Sequence, residues 1–189
     1  MGKFLFQLFG TLMTLFVIGL VAIWLNNNVF NSCSSNTQET SVTYVNTGTD
    51  GIQKAVKITK TEPQFDVQQN GQMGMAIAVT YESDGCKGER HYCVVRFYDK
   101  DTNPLQWQGG DKQYRFVNGD LSSSAINVVK HDSETANCTF FMPYDLLPLS
   151  NGRTNFYFDV SILEYHSDED MQLLTTSNAC SFHIDTNLE

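Results

Sequence analysis

Met73-Gly74-Met75-Ala76-Ile77-Ala78-Val79-Thr80-Tyr81 alternates large and small side chains without a break. The odd positions carry Met73, Met75, Ile77, Val79 and Tyr81. The even ones carry Gly74, Ala76, Ala78 and Thr80. Successive side chains of an extended strand point to opposite faces, so the stretch reads as a strand with one bulky face turned to a core. A helix, with its period of about 3.6, would scatter the five large side chains around its circumference.

The period of two recurs along the chain. His91 to Asp99 puts Cys93, Val95 and Phe97 together, and Asn137 to Met142 does the same with Cys138, Phe140 and Met142. Asn155 to Tyr165 aligns Phe156, Phe158, Val160 and Ile162. Ile52 to Lys60, Gln113 to Val117, Ser124 to Lys130 and Leu173 to Ile184 complete the series, and Ser41 to Val45 adds a marginal strand. Turn residues fall between the runs, as at Asn118-Gly119-Asp120. This pattern indicates an all-β antiparallel sandwich of about seven to nine strands. At Phe141-Met142-Pro143-Tyr144, the proline ends its strand for want of an N–H. The tyrosine is expected to bury its ring and bond its hydroxyl to nearby backbone.

The front of the chain is different. Phe4 to Leu25, FLFQLFGTLMTLFVIGLVAIWL, has no charge in 22 residues. As a helix it reaches about 33 Å, enough to cross a hydrocarbon core of about 30 Å. The run is longer than a signal-peptide core and ends in Trp24-Leu25, which suits the headgroup belt. An uncleaved anchor is therefore expected over residues 1–25, with a cleaved signal peptide as the alternative. Lys3 precedes the segment and no Lys or Arg follows it until Lys54. The positive-inside rule then puts the N-terminus in the cytoplasm and the rest outside, periplasmic or extracellular. Residues 26–50, rich in Asn, Ser and Thr, read as a polar linker, and 51–189 as the β-sandwich domain.

All 21 acidic residues and 11 of the 12 Lys and Arg lie beyond residue 25, a balance of about −10. Such a charge argues against nucleic acid as a partner. Of the five cysteines, Cys86, Cys93, Cys138 and Cys180 fall in the domain and allow three pairings. Cys86 and Cys93 could close locally, leaving Cys138 and Cys180 for a long-range bridge worth about 3–4 kcal/mol. Cys33 is the odd one and offers a link between two chains. No Cys-x-x-Cys spacing occurs and the four histidines are scattered, so neither a zinc site nor any other metal or cofactor is expected.

Two stretches resemble a family of uncharacterised bacterial extracytoplasmic immunoglobulin-like β-sandwich domains. One is Gly74-Met75-Ala76-Ile77-Ala78-Val79. The other is Phe141-Met142-Pro143-Tyr144-Asp145-Leu146-Leu147 with Gly152 and Phe156-Tyr157-Phe158-Asp159-Val160. The resemblance covers roughly residues 52–185. The family often has a small apolar or polar hairpin where this chain has Asp99-Lys100-Asp101. The resemblance implies a non-enzymatic module with no catalytic residue to transfer.

No Gly-x-Ser-x-Gly, His-Glu-x-x-His or phosphate-binding Gly loop is present, and Glu164 and His166 read as part of a solvated loop. Asp99-x-Asp101-x-Asn103 opens like a calcium loop, but Pro104 and Gly110 stand where Gly and Glu are required, so a turn is expected. Glu82, Asp84 and Glu89 together with Asp168, Glu169 and Asp170 form a second conceivable acidic site. Trp107 and Tyr114 are the candidate ligand contacts, provided that they are exposed beside a concave surface. The function expected is a membrane-tethered, non-catalytic module for protein binding or a structural role. The alternative is a carbohydrate or small-ligand domain, and a hydrolase comes last.

Overall fold

The computed structural model describes residues 43–45 and 54–186. The expected anchor over 1–25, most of the spacer over 26–50, and Cys33 lie outside the described residues. Among the described residues no helix is long and apolar enough to cross a membrane.

Among the described residues, nine strands form two antiparallel sheets. They are β1 (Thr43–Val45), β2 (Lys54–Gln69), β3 (Gln72–Asp84), β4 (Arg90–Tyr98), β5 (Ser122–Val128), β6 (Ser133–Pro143), β7 (Gly152–Ser167), β8 (Asp170–Thr176) and β9 (Cys180–Thr186). One sheet runs β1-β2-β3-β6. The other runs β5-β4-β7-β8, with β9 also paired to β7. β4 pairs with one edge of β7, while β9 and then β8 share the other. The all-β sandwich expected from alternation is what forms. Met75, Ile77, Val79 and Tyr81 of β3, Cys93, Val95 and Phe97 of β4, Cys138, Phe140 and Met142 of β6, and Phe156, Phe158, Val160 and Ile162 of β7 are all buried.

Three boundaries depart from expectation. Gln113 to Val117 is no strand: Asp111 caps a single 3₁₀ turn at Lys112–Tyr114, and Arg115 then makes one isolated bridge to Leu121. The run from Leu173 to Ile184 is two strands, broken at Ser177, whose hydroxyl accepts from the Val160 N–H. β2 continues through Pro63 to Gln69 with two register shifts. Beyond Val56 this strand is an outer one, where a proline and bulges are tolerated and blunt the open edge. The marginal strand near residues 41–45 forms as β1, inside the stretch read as a spacer.

The corner after β6 behaves as its residues require. β6 ends at Pro143, and the Tyr144 hydroxyl accepts the Asp66 N–H at 3.0 Å. Asp66 has φ 56° and sits in the second register shift of β2, and Val67, Gly74 and Pro143 share one row, so Tyr144 ties the bulge to β6 across β3 at the same end of the sheet. At the same end of the core Phe182 lies among Phe65, Phe97, Phe156 and Phe158, with ring centroids 5.5–6.5 Å away. These spacings suit tilted and offset aromatic contacts.

At Gly74 of β3 sterics exclude a side chain. A Cβ there would collide with the Met142 carbonyl oxygen and lie 2.7 Å from Phe141 Cζ. Gly74→Ala is therefore expected to cost about 1–3 kcal/mol by overpacking. Chemical unfolding of the full-length chain measures it. An unchanged midpoint would show that the backbone at Met142 gives way as well as the Phe141 ring.

Candidate functional site

The inner face of β4 begins with a histidine. His91 precedes Cys93, Val95 and Phe97 in the same inward column and is 0% exposed. Its register partners are Asn127 on β5 and Glu164 on β7, and the Tyr81 ring of the opposite sheet lies 5.7 Å away. The Asn127 amide donates to the Tyr81 hydroxyl at 3.3 Å. Glu164, expected in a solvated loop, is 7% exposed and belongs to this interior.

The residues just before β4 complete the group. Glu89 N–H bonds the Cys86 carbonyl at 3.0 Å, closing Cys86-Lys87-Gly88-Glu89 into a turn, and Gly88 takes φ 88° as its third residue. That conformation favours glycine. A four-residue turn brings its first and last side chains near one another, and strand alternation then puts Glu89 and His91 on one side. The turn is fastened from outside: Gly85 and Gly88 donate to Asp132 and Val129 carbonyls, and Val129 donates to Glu89. A donor atom from each of Cys86, Glu89 and His91 lies within 4.8 Å of the other two.

Lys54 supplies the positive charge. Its Nζ lies 2.5 Å from Glu89 Oε1 and 3.5 Å from Glu164 Oε1. Burial opposes its charge, but the hydrogen bonds and field of the two carboxylates outweigh this and hold it above the ordinary lysine value. The other Glu89 oxygen, Oε2, is buried without a hydrogen-bond partner among the described residues and stands 3.7 Å from His91 Nε2, too far for a hydrogen bond. Both His91 ring nitrogens also lack a hydrogen-bond partner among the described residues. Burial lowers the His91 pKa, so the ring is held neutral. Burial, aided by Glu89, pushes the Cys86 thiol up to about 12, and the thiol donates to the Asp84 carbonyl at 3.3 Å. A nucleophilic pair needs a thiolate within reach of substrate. This sulfur is protonated and fully buried.

The cysteines pair differently from expectation. Cys86, Cys93 and Cys138 carry free thiols, so neither the Cys86–Cys93 nor the Cys138–Cys180 bridge forms. Cys86 is drawn into the polar cluster by its turn. Cys93 points instead across the core at Cys138 of the other sheet; interaction with that sulfur, and burial, push its thiol up. Cys180 opens β9 and stands opposite Phe158 of β7.

The remaining candidates are not brought together as a site. Tyr114 is 8% exposed and in the core, and Trp107 packs partly buried against it with Arg115 over its ring at 5.6 Å. Neither stands free as a stacking platform. The Asp99 carboxylate is used by its own turn, accepting from Asp101 N–H, Asn103 N–H and the Asn103 amide, and these bonds lower its pKa. Of Glu82, Asp84 and Glu89 only the last faces inward; the other two are exposed. His166 is exposed, its Nε2 3.5 Å from Glu164 Oε1.

No family model, curated protein or solved structure matches the chain.

Removing the ammonium leaves two inward carboxylates facing each other. Lys54→Met is expected to cost about 3 kcal/mol, the lower end for breaking a buried pair. Adding Glu89→Gln to it should restore part of that loss. The readout is urea unfolding of the full-length chain, and a neutral Lys54→Met would show that the pair carries no stability.

Proposed function

We propose that the chain is a membrane-tethered, extracytoplasmic β-sandwich module that acts through protein contacts and performs no catalysis. One observation carries the contact surface. Ile126, Tyr92, Leu163 and Leu173 are successive register partners across β5, β4, β7 and β8, so they form one row on the outside of the second sheet. Ile126 is 45% exposed and Leu173 53%, and Val128, beside Arg90 in the next row, is 48% exposed. Scattered apolar residues on a surface are ordinary, whereas a contiguous apolar row across a whole sheet is a place for another surface to pack. Tyr92 and Tyr165 stack at 5.8 Å beside it, and Arg90 lies 4.6 Å over the Tyr165 ring. Aromatic and arginine side chains of this kind are enriched in protein interfaces. The carbohydrate alternative rests on Trp107 and Tyr114, of which Tyr114 is buried and Trp107 half-buried, so it has less support than the contact surface.

A photo-crosslinking amino acid at Ile126 or Leu173 is expected to give a discrete adduct in intact cells. The same group at exposed Ala78, on the outside of the other sheet, should not. Equal labelling at all three positions, or none, would overturn the reading. With the crosslinking amino acid placed at Tyr165 instead, Ile126→Asp with Leu173→Asp should abolish the adduct while shifting stability by no more than about 0.5 kcal/mol each, as surface changes do.

The address rests on the uncharged run Phe4 to Leu25 and on the lone Lys3 before it. Beyond a membrane, a disulfide oxidant of that compartment would take two electrons and two protons from Cys93 and Cys138, joining the sheets through their sulfurs. Chain recovered with thiols blocked before lysis should yield a linked Cys93–Cys138 peptide and resist alkaline extraction. Free thiols at both positions, together with a cytosolic reporter at the C-terminus, would refute the address.

A further inference from the structure

The interior at the start of β4 holds more lone pairs than donors. Glu89 Oε2, His91 Nδ1 and His91 Nε2 are buried and lack hydrogen-bond partners among the described residues. A buried polar atom left unpaired costs free energy, and Glu89 Oε2 and one His91 ring nitrogen, the other carrying the ring proton, can share one electron-pair acceptor. The Cys86 sulfur is the third corner of the same group.

We propose that Cys86, Glu89 and His91 bind a divalent transition-metal ion, Zn²⁺ first among them. Thiolate, imidazole and carboxylate together are zinc donors, whereas calcium and magnesium take oxygen ligands. Bond lengths of about 2.0–2.3 Å in a tetrahedral site put donor atoms about 3.3–3.6 Å apart. The three donors lie within 4.8 Å of one another, so they close on an ion by about an ångström, a side-chain adjustment. Glu89 can serve Lys54 and the metal at once, because Oε1 takes the ammonium and Oε2 is free. A carboxylate ligand held from behind in this way is the usual support of a metal site.

Charge points the same way. Glu89 and Glu164 against Lys54 leave one formal negative charge in the cluster. Binding forms the sulfur–metal bond and releases the Cys86 proton to buffer, adding a second. A divalent cation then brings the cluster to neutrality, which a buried site requires. The inference is independent of the contact surface on the other side of the sheet.

Titration of the full-length, reduced chain in detergent with Co²⁺ tests it. One equivalent is expected to produce a thiolate-to-cobalt charge-transfer band that Zn²⁺ displaces. Cys86→Ser should abolish the band, and His91→Gln should weaken binding by at least about 100-fold, more than the loss of a supporting residue brings. Cys138→Ser should keep the band, which separates this site from the Cys93–Cys138 thiols. A far-ultraviolet spectrum matching the parent shows that each variant is folded. Absence of saturable binding by the parent chain, or a band that survives Cys86→Ser, overturns the proposal.

Discussion

Every second residue of β4 is forced into the space between the sheets, and that column reads His91, Cys93, Val95, Phe97. Strand geometry leaves no choice in this. The apolar end of the column satisfies itself by packing: Phe97 lies against Phe158 and Phe182 at 6.2 and 6.5 Å. The polar end has no such recourse. An imidazole held inside needs polar neighbours, and the surrounding elements bring Glu164 from β7, Asn127 from β5, Lys54 from β2 and Glu89 from the turn before the strand. The cluster is thus a consequence of where His91 falls in the alternation.

The outer face of the same strand runs the other way. Outside the histidine end lie Tyr92, Leu163 and the exposed Ile126 and Leu173. Outside the aromatic end Arg96 reaches Asp159 and Ser161 at 3.2–3.3 Å, and the Tyr98 hydroxyl donates to Asp159 at 2.8 Å. Inside polarity therefore lies beneath outside apolarity at one end, and the reverse holds at the other. An exterior that served solubility alone would gain nothing from apolar residues over a polar interior. The inversion is understandable if that end meets another surface.

How much of this was legible in the sequence depends on range. Alternation placed Met75, Ile77, Val79 and Tyr81, and the column from Phe156 to Ile162, because a period of two is local. Pro143 and Tyr144 were readable because a missing N–H and an amphipathic ring have few uses at a strand end. Gln113 to Val117 misled because its alternation is satisfied by a capped 3₁₀ turn. The cysteine pairing failed because sequence separation says nothing about which strands face across the core. Cys93 is near Cys86 along the chain but meets Cys138 of the other sheet. Glu164 looked solvated beside Asp168 to Asp170, and only the β4–β7 register, His91 opposite Glu164, draws it inward. The nearest to a readable signal was Cys86-Lys87-Gly88-Glu89-Arg90-His91. A turn with Gly at its third place followed by a strand sets positions one, four and six of that hexapeptide side by side.

The interior cluster and the outer row are built on the same pieces of backbone. His91 is flanked by Arg90 and Tyr92, and Glu164 by Leu163 and Tyr165; in each triplet the middle residue faces in and its neighbours face out. Strand positions that share three consecutive residues cannot move independently, because a rotation of one peptide reorients the side chains on both sides of it. Anything that fixes His91 against Glu89 therefore also fixes Tyr92 and the stacked Tyr165. Loosening the inner group would loosen the outer rings with it. A polar interior is an expensive way to fill a sandwich, since each unpaired atom opposes folding. Its position directly beneath the one apolar row of that face, rather than beneath the charged half, makes rigidity of the row the physical return on that cost.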